Sequence, residues 1–269
     1  MQSEERMPPE SAGGRGCGST LPPVVMTIAI NANSPYSKAR NATMRREWAA
    51  ATLERWMRLT TLNIVVVDGT ADAAALEFLR PLGNSRRLEL LAMPRPVLRD
   101  PIGQSKGYME YRSIAFAAGN ARALRACAHF AHATGDRFIT NAEELLRSPG
   151  AARSLVGVVQ HGSRPASPAH APVLHRPDGP VLKSSFVLWT REFLTGEFRG
   201  ENITEPGGGG AVFEMELGRA VARAWAAGRP VLWWPCVGVL GWSGTSNMPI
   251  NGAPNRCSKA RYTRTKVLF

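Results

Sequence analysis

The chain has 269 residues, of which 44% are hydrophobic, and a formal net charge of +12. That length can bury a substantial core in one large domain or two small ones, and no apolar run approaches the roughly 18 residues a membrane-spanning helix needs. The charge excess argues against a cationic partner and points to an anionic one, phosphate above all, carried on a nucleotide or on nucleic acid.

The opening segment, MQSEERMPPESAGGRGCGSTLPP, is rich in Pro, Gly, Ser and Glu and has no apolar stretch of the secretory kind. It reads as a disordered leader over residues 1–22. VVMTIAINA (24–32) is β-branched and continuous, the pattern of a strand buried on both faces. NATMRREWAAATLERWMRL (41–59) reads as a helix capped by Asn41 or Thr43. A basic group, Lys38, Arg40, Arg45 and Arg46, spans the join between the two. LNIVVVDGT (62–70) is a second buried strand ending in Asp68-Gly69, followed by a short helix over 71–82 and a strand over 87–94.

After a Pro/Arg/Gly loop, QSKGYMEYRSIAFAAGNARAL (104–124) begins as a loop and continues as a helix. Its apolar positions Ile114, Ala117, Ala118, Ala121 and Leu124 form one stripe. Extended backwards, the stripe meets Glu110 and Gly107, so Glu110 is expected to face inward. A carboxylate there needs a partner such as Lys106, a backbone donor, or an opening onto a cleft. HFAHATGDRFITNAEELLRS (129–148) reads as strand, turn and short helix, and SLVGVVQHG (154–162) as another strand.

Residues 163–180 read as a surface loop, order resumes over 181–198, and EPGGGG (205–210) is a flexible break. AVFEMELGRAVARAWAAG (211–228) is a helix with Phe213, Leu217, Ala220 and Ala224 as its apolar stripe. A buried strand over 230–240 and a basic tail (255–269) follow; the tail carries Arg256, Lys259, Arg261, Arg264 and Lys266 and no acid. The alternation of strands and helices predicts an α/β domain over 23–254, built on a mixed, mainly parallel sheet flanked by helices.

Four scattered cysteines without a CxxC pair predict reduced thiols in a cytoplasmic protein. His129 and His132 stand at i, i+3, but no HExxH surrounds them. In open α/β sheets, ligands bind beyond the carboxyl ends of the strands. That rule selects Asn31 and Asn33, then Asp68, then the loop 94–106. Asp68 reads equally as a turn residue, since Asp-Gly favours turns.

Taken in order, KGYMEYRSIAFAAGNARAL, ATGDRFITNAEELL, FEMELGRAV and GWSG resemble a group of small bacterial and large-virus glycosyltransferases. Their pattern runs KGxGE, TGRYxxxN, FExxL, GxSG on a GT-A-like, Rossmann-like fold. The resemblance spans roughly residues 24–250. Lys106, Gly107 and Glu110 match the first motif, and Thr134, Gly135 and Asn141 the second. Asp136 and Arg137 stand where the pattern has Arg and an aromatic residue, and Tyr-Met replaces the second glycine of KGxGE.

The resemblance implies a nucleotide-sugar donor, with Mn or Mg as a candidate ion, and a glycan acceptor. Asn31, Asp68, Lys106, Gly107, Glu110 and Arg137 would bind the donor, and Asp136 would hold the metal. Glu214 or Glu216 would act as catalytic base, with Trp242, Ser243 and Gly244 at the acceptor; Trp233 and Trp234 are further candidates for stacking on sugars. Such transfer needs the leaving diphosphate neutralised and, for inversion, the acceptor hydroxyl deprotonated. Two other readings stand beside it. One is a basic nucleic-acid-binding module, motivated by the charge and tail. The other is an inactive relative, motivated by Asp136-Arg137.

Overall fold

The computed structural model describes residues 17, 21–30, 41–69, 73–94, 106–159, 183–198, 200, 203, 210–234, 237–243 and 248–251. At 73–75, 83–84, 106, 183, 210–212, 242–243 and 248–251 it describes the backbone alone. The loop expected over 163–180, the basic tail, Asn31, Asn33 and Gly244 lie outside the described residues, as does most of the leader.

In chain order the elements are β1 (Val24–Ile28), α1 (Ala42–Leu59), β2 (Ile64–Asp68), a 3₁₀-helical segment (Ala73–Asn84), β3 (Leu88–Ala92), α2 (Lys106–Asn120), β4 (His129–Thr134), β5 (Arg137–Ile139), α3 (Ala142–Arg147), β6 (Val156–Val159), β7 (Lys183–Thr190), α4 (Gly210–Ala226), β8 (Val231–Trp234), β9 (Val239–Ser243) and β10 (Met248–Asn251). Asn41 caps α1, its Oδ1 accepting from the N–H groups of Thr43 and Met44 at 2.8 and 3.3 Å.

Seven strands form one sheet in the order β3-β2-β1-β4-β7-β6-β8, and three form a second in the order β10-β9-β5. Within the large sheet β7 runs antiparallel to both neighbours and the remaining pairs are parallel. The small sheet is antiparallel throughout. The fold is therefore α/β, a mixed and mainly parallel Rossmann-like sheet flanked by helices, as the alternation of elements predicts.

Two apolar layers sandwich the sheet. Ala49, Leu53 and Trp56 of α1, Leu76 and Leu79, and Ala142, Leu145 and Leu146 of α3 pack on one face. On the other face lie α2, through Ile114, Ala117 and Ala118, and α4, through Phe213, Leu217, Ala220 and Ala224. Both predicted stripes are the buried ones. Because β2 and β4 flank β1 on opposite sides, the chain order reverses at β1/β4, the kind of switch point beside which α/β sheets bind ligands.

Three expectations need correction. The strand expected over 230–240 is two strands, β8 and β9, that belong to different sheets. Between the strand and the short helix expected over 129–148 stands a further strand, β5, whose three residues pair with β9, a partner about a hundred residues away. Cys17 and Cys127 form a disulfide rather than two reduced thiols. Parallel pairing explains their meeting: Val24 lies opposite Ala131, and the Ala131 N–H donates to Pro23 O, so the segment entering β1 runs beside the segment entering β4. The bridge also removes the reduced-cysteine basis of the cytoplasmic expectation. Of the leader, Cys17 is held by that bridge and Leu21 packs against the core. Among the described residues no helix is long and apolar enough to cross a membrane.

Candidate active site

A polar group collects at the carboxyl edge of the large sheet, on the face covered by α2 and α4. Glu110, on the first turns of α2, is 9% exposed, so the inward orientation read from helical spacing is the one observed. Its partner there is His132 of β4, with Oε1 3.7 Å from Nε2. The same Nε2 lies 3.0 Å from Thr27 Oγ1 on β1. Burial, and then the nearby Arg137 charge, push the His132 pKa down to about 3. The imidazole is therefore neutral at physiological pH, and Glu110 faces a dipole rather than a cation.

His129 does not share this site. Three positions apart on a strand, the two histidines project to opposite faces, and His129 Nε2 lies 2.8 Å from Ser154 O.

Arg137 opens β5. Its Nη1 donates to Ser185 Oγ on β7 at 2.5 Å, and its Nε lies 3.8 Å from Asp136 Oδ1. Asp136 also interacts with Arg45 of α1, whose Nη1 donates to Ala29 O at 2.7 Å. Burial lowers the Arg45 pKa, and the Asp136 charge partly opposes that. The turn carrying Asp136 is pressed onto β1: the Gly135 N–H donates to Thr27 O at 2.7 Å, and a side chain at 135 would overlap Ile28. From the other side comes Gly241 (φ 147°), where a Cβ would collide with Asp136 O. Glycine at both positions lets three chain segments converge on this turn.

Glu214, near the start of α4, accepts from Ser184 N at 3.3 Å and from Ser184 Oγ at 3.1 Å, next to Ser185. A linked set thus runs from Glu110 through His132, Arg137 and Asp136 to Arg45, and through the Ser184-Ser185 pair to Glu214. Asp68, fully buried at the end of β2, accepts from Ile30 N at 3.4 Å and so holds the chain leaving β1.

The other expected residues fall as follows. Gly107 sits where α2 meets α4, and a Cβ there would come within 2.9 Å of Phe213 Cβ. Lys106 is the first residue of α2, one turn before Glu110; its side chain lies outside the described residues. Glu216 is separate from the linked set: 2% exposed, it accepts from Arg223 Nη2 at 2.8 Å and lies 3.8 Å from Arg219. Trp242 and Ser243 lie in β9, opposite Pro249 and Met248. Asn141, of the second motif, accepts from the Gly238 N–H at 2.9 Å and thereby ties the start of α3 to the lead-in of β9. Trp234 is a core residue stacked on Phe186, and Trp233 packs edge-on against Trp225.

The sequence reading weighed His132 only with His129 as a metal pair, and missed Thr27, Ser184, Ser185 and the approach of Arg45 to Asp136. The available signal was a histidine inside an apolar strand and two serines opening another.

The side chains around Asp136 do not fit a divalent-cation site. One carboxylate stands against two guanidinium groups, which would repel a dication. Among the described residues no three His, Cys, Asp or Glu side chains gather in a metal-binding group.

No protein-family model and no curated protein matches the sequence. Several solved structures match parts of the chain at low identity. Against the apo structure of WbbM, a bifunctional glycosyltransferase, the TM-score is 0.47 at 12% identity, covering 76% of this chain and 37% of that one. Against HddC from Yersinia pseudotuberculosis it is 0.43 at 8% identity, covering 67% and 81%. Against the mannosyltransferase Ktr4p from S. cerevisiae it is 0.43 at 10% identity, covering 88% and 75%. HddC has also been solved with GMP-PN, and Ktr4p with GDP.

Proposed function

We propose that the protein is a GT-A-like glycosyltransferase that moves a sugar from a nucleoside-diphosphate sugar to a glycan hydroxyl. One observation carries the reading. His132 Nδ1, Thr134 Oγ1 and Arg137 Nε are buried at the sheet's switch point with no hydrogen-bond partner among the described residues. Buried polar atoms are rarely left so, and a polar ligand at this edge would meet them.

The motif resemblance supplies the ligand class. In this scheme Asp68 and Asn31 hold the nucleoside end, Lys106, Gly107 and Glu110 the sugar, and Arg137 the diphosphate. Glu214, accepting from Ser184 beside Arg137's partner Ser185, is the favoured base over the ion-paired Glu216. Trp242, Ser243 and Gly244 form the acceptor side. The test is a panel of nucleotide-sugars with a mixed glycan acceptor, reading nucleoside diphosphate release with and without Mn²⁺. Release from at least one donor, lost in Glu110→Gln, supports the assignment. No release from any donor, together with no nucleoside diphosphate binding, overturns it.

A further inference from the structure

Resting on that reading, we propose that Arg45 and Arg137 form a two-guanidinium cradle for the donor diphosphate. Asp136 acts as the counter-ion that orients them, so donor binding needs no divalent cation.

β1 and β4 are parallel neighbours, so the residues following each rise from adjacent strand ends at the switch point. Arg45 belongs to the helix after β1, and Arg137 follows the turn after β4. The Arg45 guanidinium is tied to Ala29 O at 2.7 Å, which holds it against the end of β1. Arg137 is tied to Ser185 Oγ at 2.5 Å. Asp136 Oδ1 lies 3.8 Å from Arg137 Nε, and its charge also acts on Arg45.

Two further features call for an anion. Arg137 Nε is buried and has no hydrogen-bond partner among the described residues. Arg45 and Arg46 also sit in the opening residues of α1, whose first turn has no acid. Cations there oppose the helix dipole, and a bound anion relieves both. Guanidinium forks match phosphate oxygens in pairs, a geometry that a lysine or a hydrated ion does not reproduce. Asp136 offsets part of the guanidinium charge, and bound diphosphate adds the acceptor that Arg137 Nε lacks among the described residues.

The experiment is calorimetric titration of the full chain with UDP, GDP and the matching nucleosides, in EDTA and again with Mn²⁺. The variants are Arg45→Gln, Arg45→Lys, Asp136→Asn and, as a control, Arg122→Gln at an exposed residue paired with Glu89. A thermal scan of each variant reports folding. The expected result is diphosphate binding in EDTA, weakened about 10-fold or more by Arg45→Gln. Arg45→Lys keeps the charge without the fork and falls between native and Arg45→Gln, so it decides the matter if Arg45→Gln does not fold. Nucleoside binding stays unchanged, Asp136→Asn binds diphosphate at least as tightly, and the control matches native. Binding that requires Mn²⁺ and is abolished by Asp136→Asn overturns the cradle and leaves the glycosyltransferase reading standing. Native-like diphosphate affinity in folded Arg45 variants does the same. Absence of nucleoside diphosphate binding under both conditions removes both.

Discussion

Glu110 of α2 and His132 of β4 meet at 3.7 Å, Oε1 to Nε2, with both side chains buried. The contact is longer than a hydrogen bond, and with the imidazole neutral it is not an ion pair. Its effect is positional. Helix α2 is anchored by its apolar stripe, strand β4 by pairing on both edges, and the two polar side chains meet where those anchors end. Glu110 is therefore held at the carboxyl edge against a neutral imidazole.

Neutral burial of His132 makes stability depend on acid. Its folded pKa, about 3, lies below the ordinary histidine value of 6.5, so the unfolded chain takes up a proton where the folded chain does not. Stability present above about pH 6.5 is lost as the pH falls toward 3, by about 1.4 kcal/mol per pH unit at most from this group. His129, also lowered by burial, adds to the same window. Urea unfolding of His132→Asn between pH 7 and pH 4 is expected to show a shallower decline than native. An unchanged slope would mean the imidazole is not held neutral.

The turn at Gly135 has no room for a methyl group. A Cβ there would enter Ile28 and face the Thr27 carbonyl, which is backbone and cannot rotate aside. Gly135→Ala is expected to cost about 1–3 kcal/mol and to weaken nucleotide binding, because the same turn carries Asp136 and Arg137. The urea midpoint and a nucleotide titration on one sample check both, and a native-like pair of values would show that the turn yields.

The Cys17–Cys127 bridge closes a sequence separation of 110 residues. Closing a loop of that size restricts the unfolded chain, and its loss is expected to cost about 2–4 kcal/mol. Native protein should unfold at lower urea once reduced, whereas Cys17→Ser should unfold alike with and without reductant. Peptide mapping without reduction should recover residues 17 and 127 in one linked fragment. A native midpoint indifferent to reductant would exclude a stabilising bridge.

What the sequence made legible was local. A capping residue placed the start of α1, and periodicity placed the buried faces of α2 and α4 and the inward Glu110, because each depends on residues within a few turns. Buried strand patterns placed β1, β2 and β6 for the same reason. What stayed hidden depends on pairing across the chain. Cys17 meets Cys127 only because β1 lies beside β4, β5 exists only because β9 returns to it, and Arg45 reaches Asp136 only because α1 follows the strand next to that turn. Asn141 shows the limit of a motif: the match located the residue, but its bond to Gly238 makes it a brace between α3 and β9.

Glu214 and Glu216 separate by the partners each has. Two positions apart on a helix they point about 200° apart, and only one side meets the linked polar set. Glu214 accepts two bonds from Ser184, a partner that can release it to a substrate hydroxyl without leaving a charge behind. Glu216 is 2% exposed and bound to Arg223, which also donates to Glu197 O, so it fastens α4 to the segment after β7. Glu214→Gln is therefore expected to lower kcat by about 10²–10⁴-fold, the range for loss of a general base, with little change in Tm. Glu216→Gln is expected to cost about 1–3 kcal/mol of stability and leave kcat within a few-fold of native. Steady-state kinetics paired with thermal unfolding of both variants decides the assignment. If Glu216→Gln is folded and inactive while Glu214→Gln turns over normally, the base is Glu216 and α4 must present its other side to the acceptor.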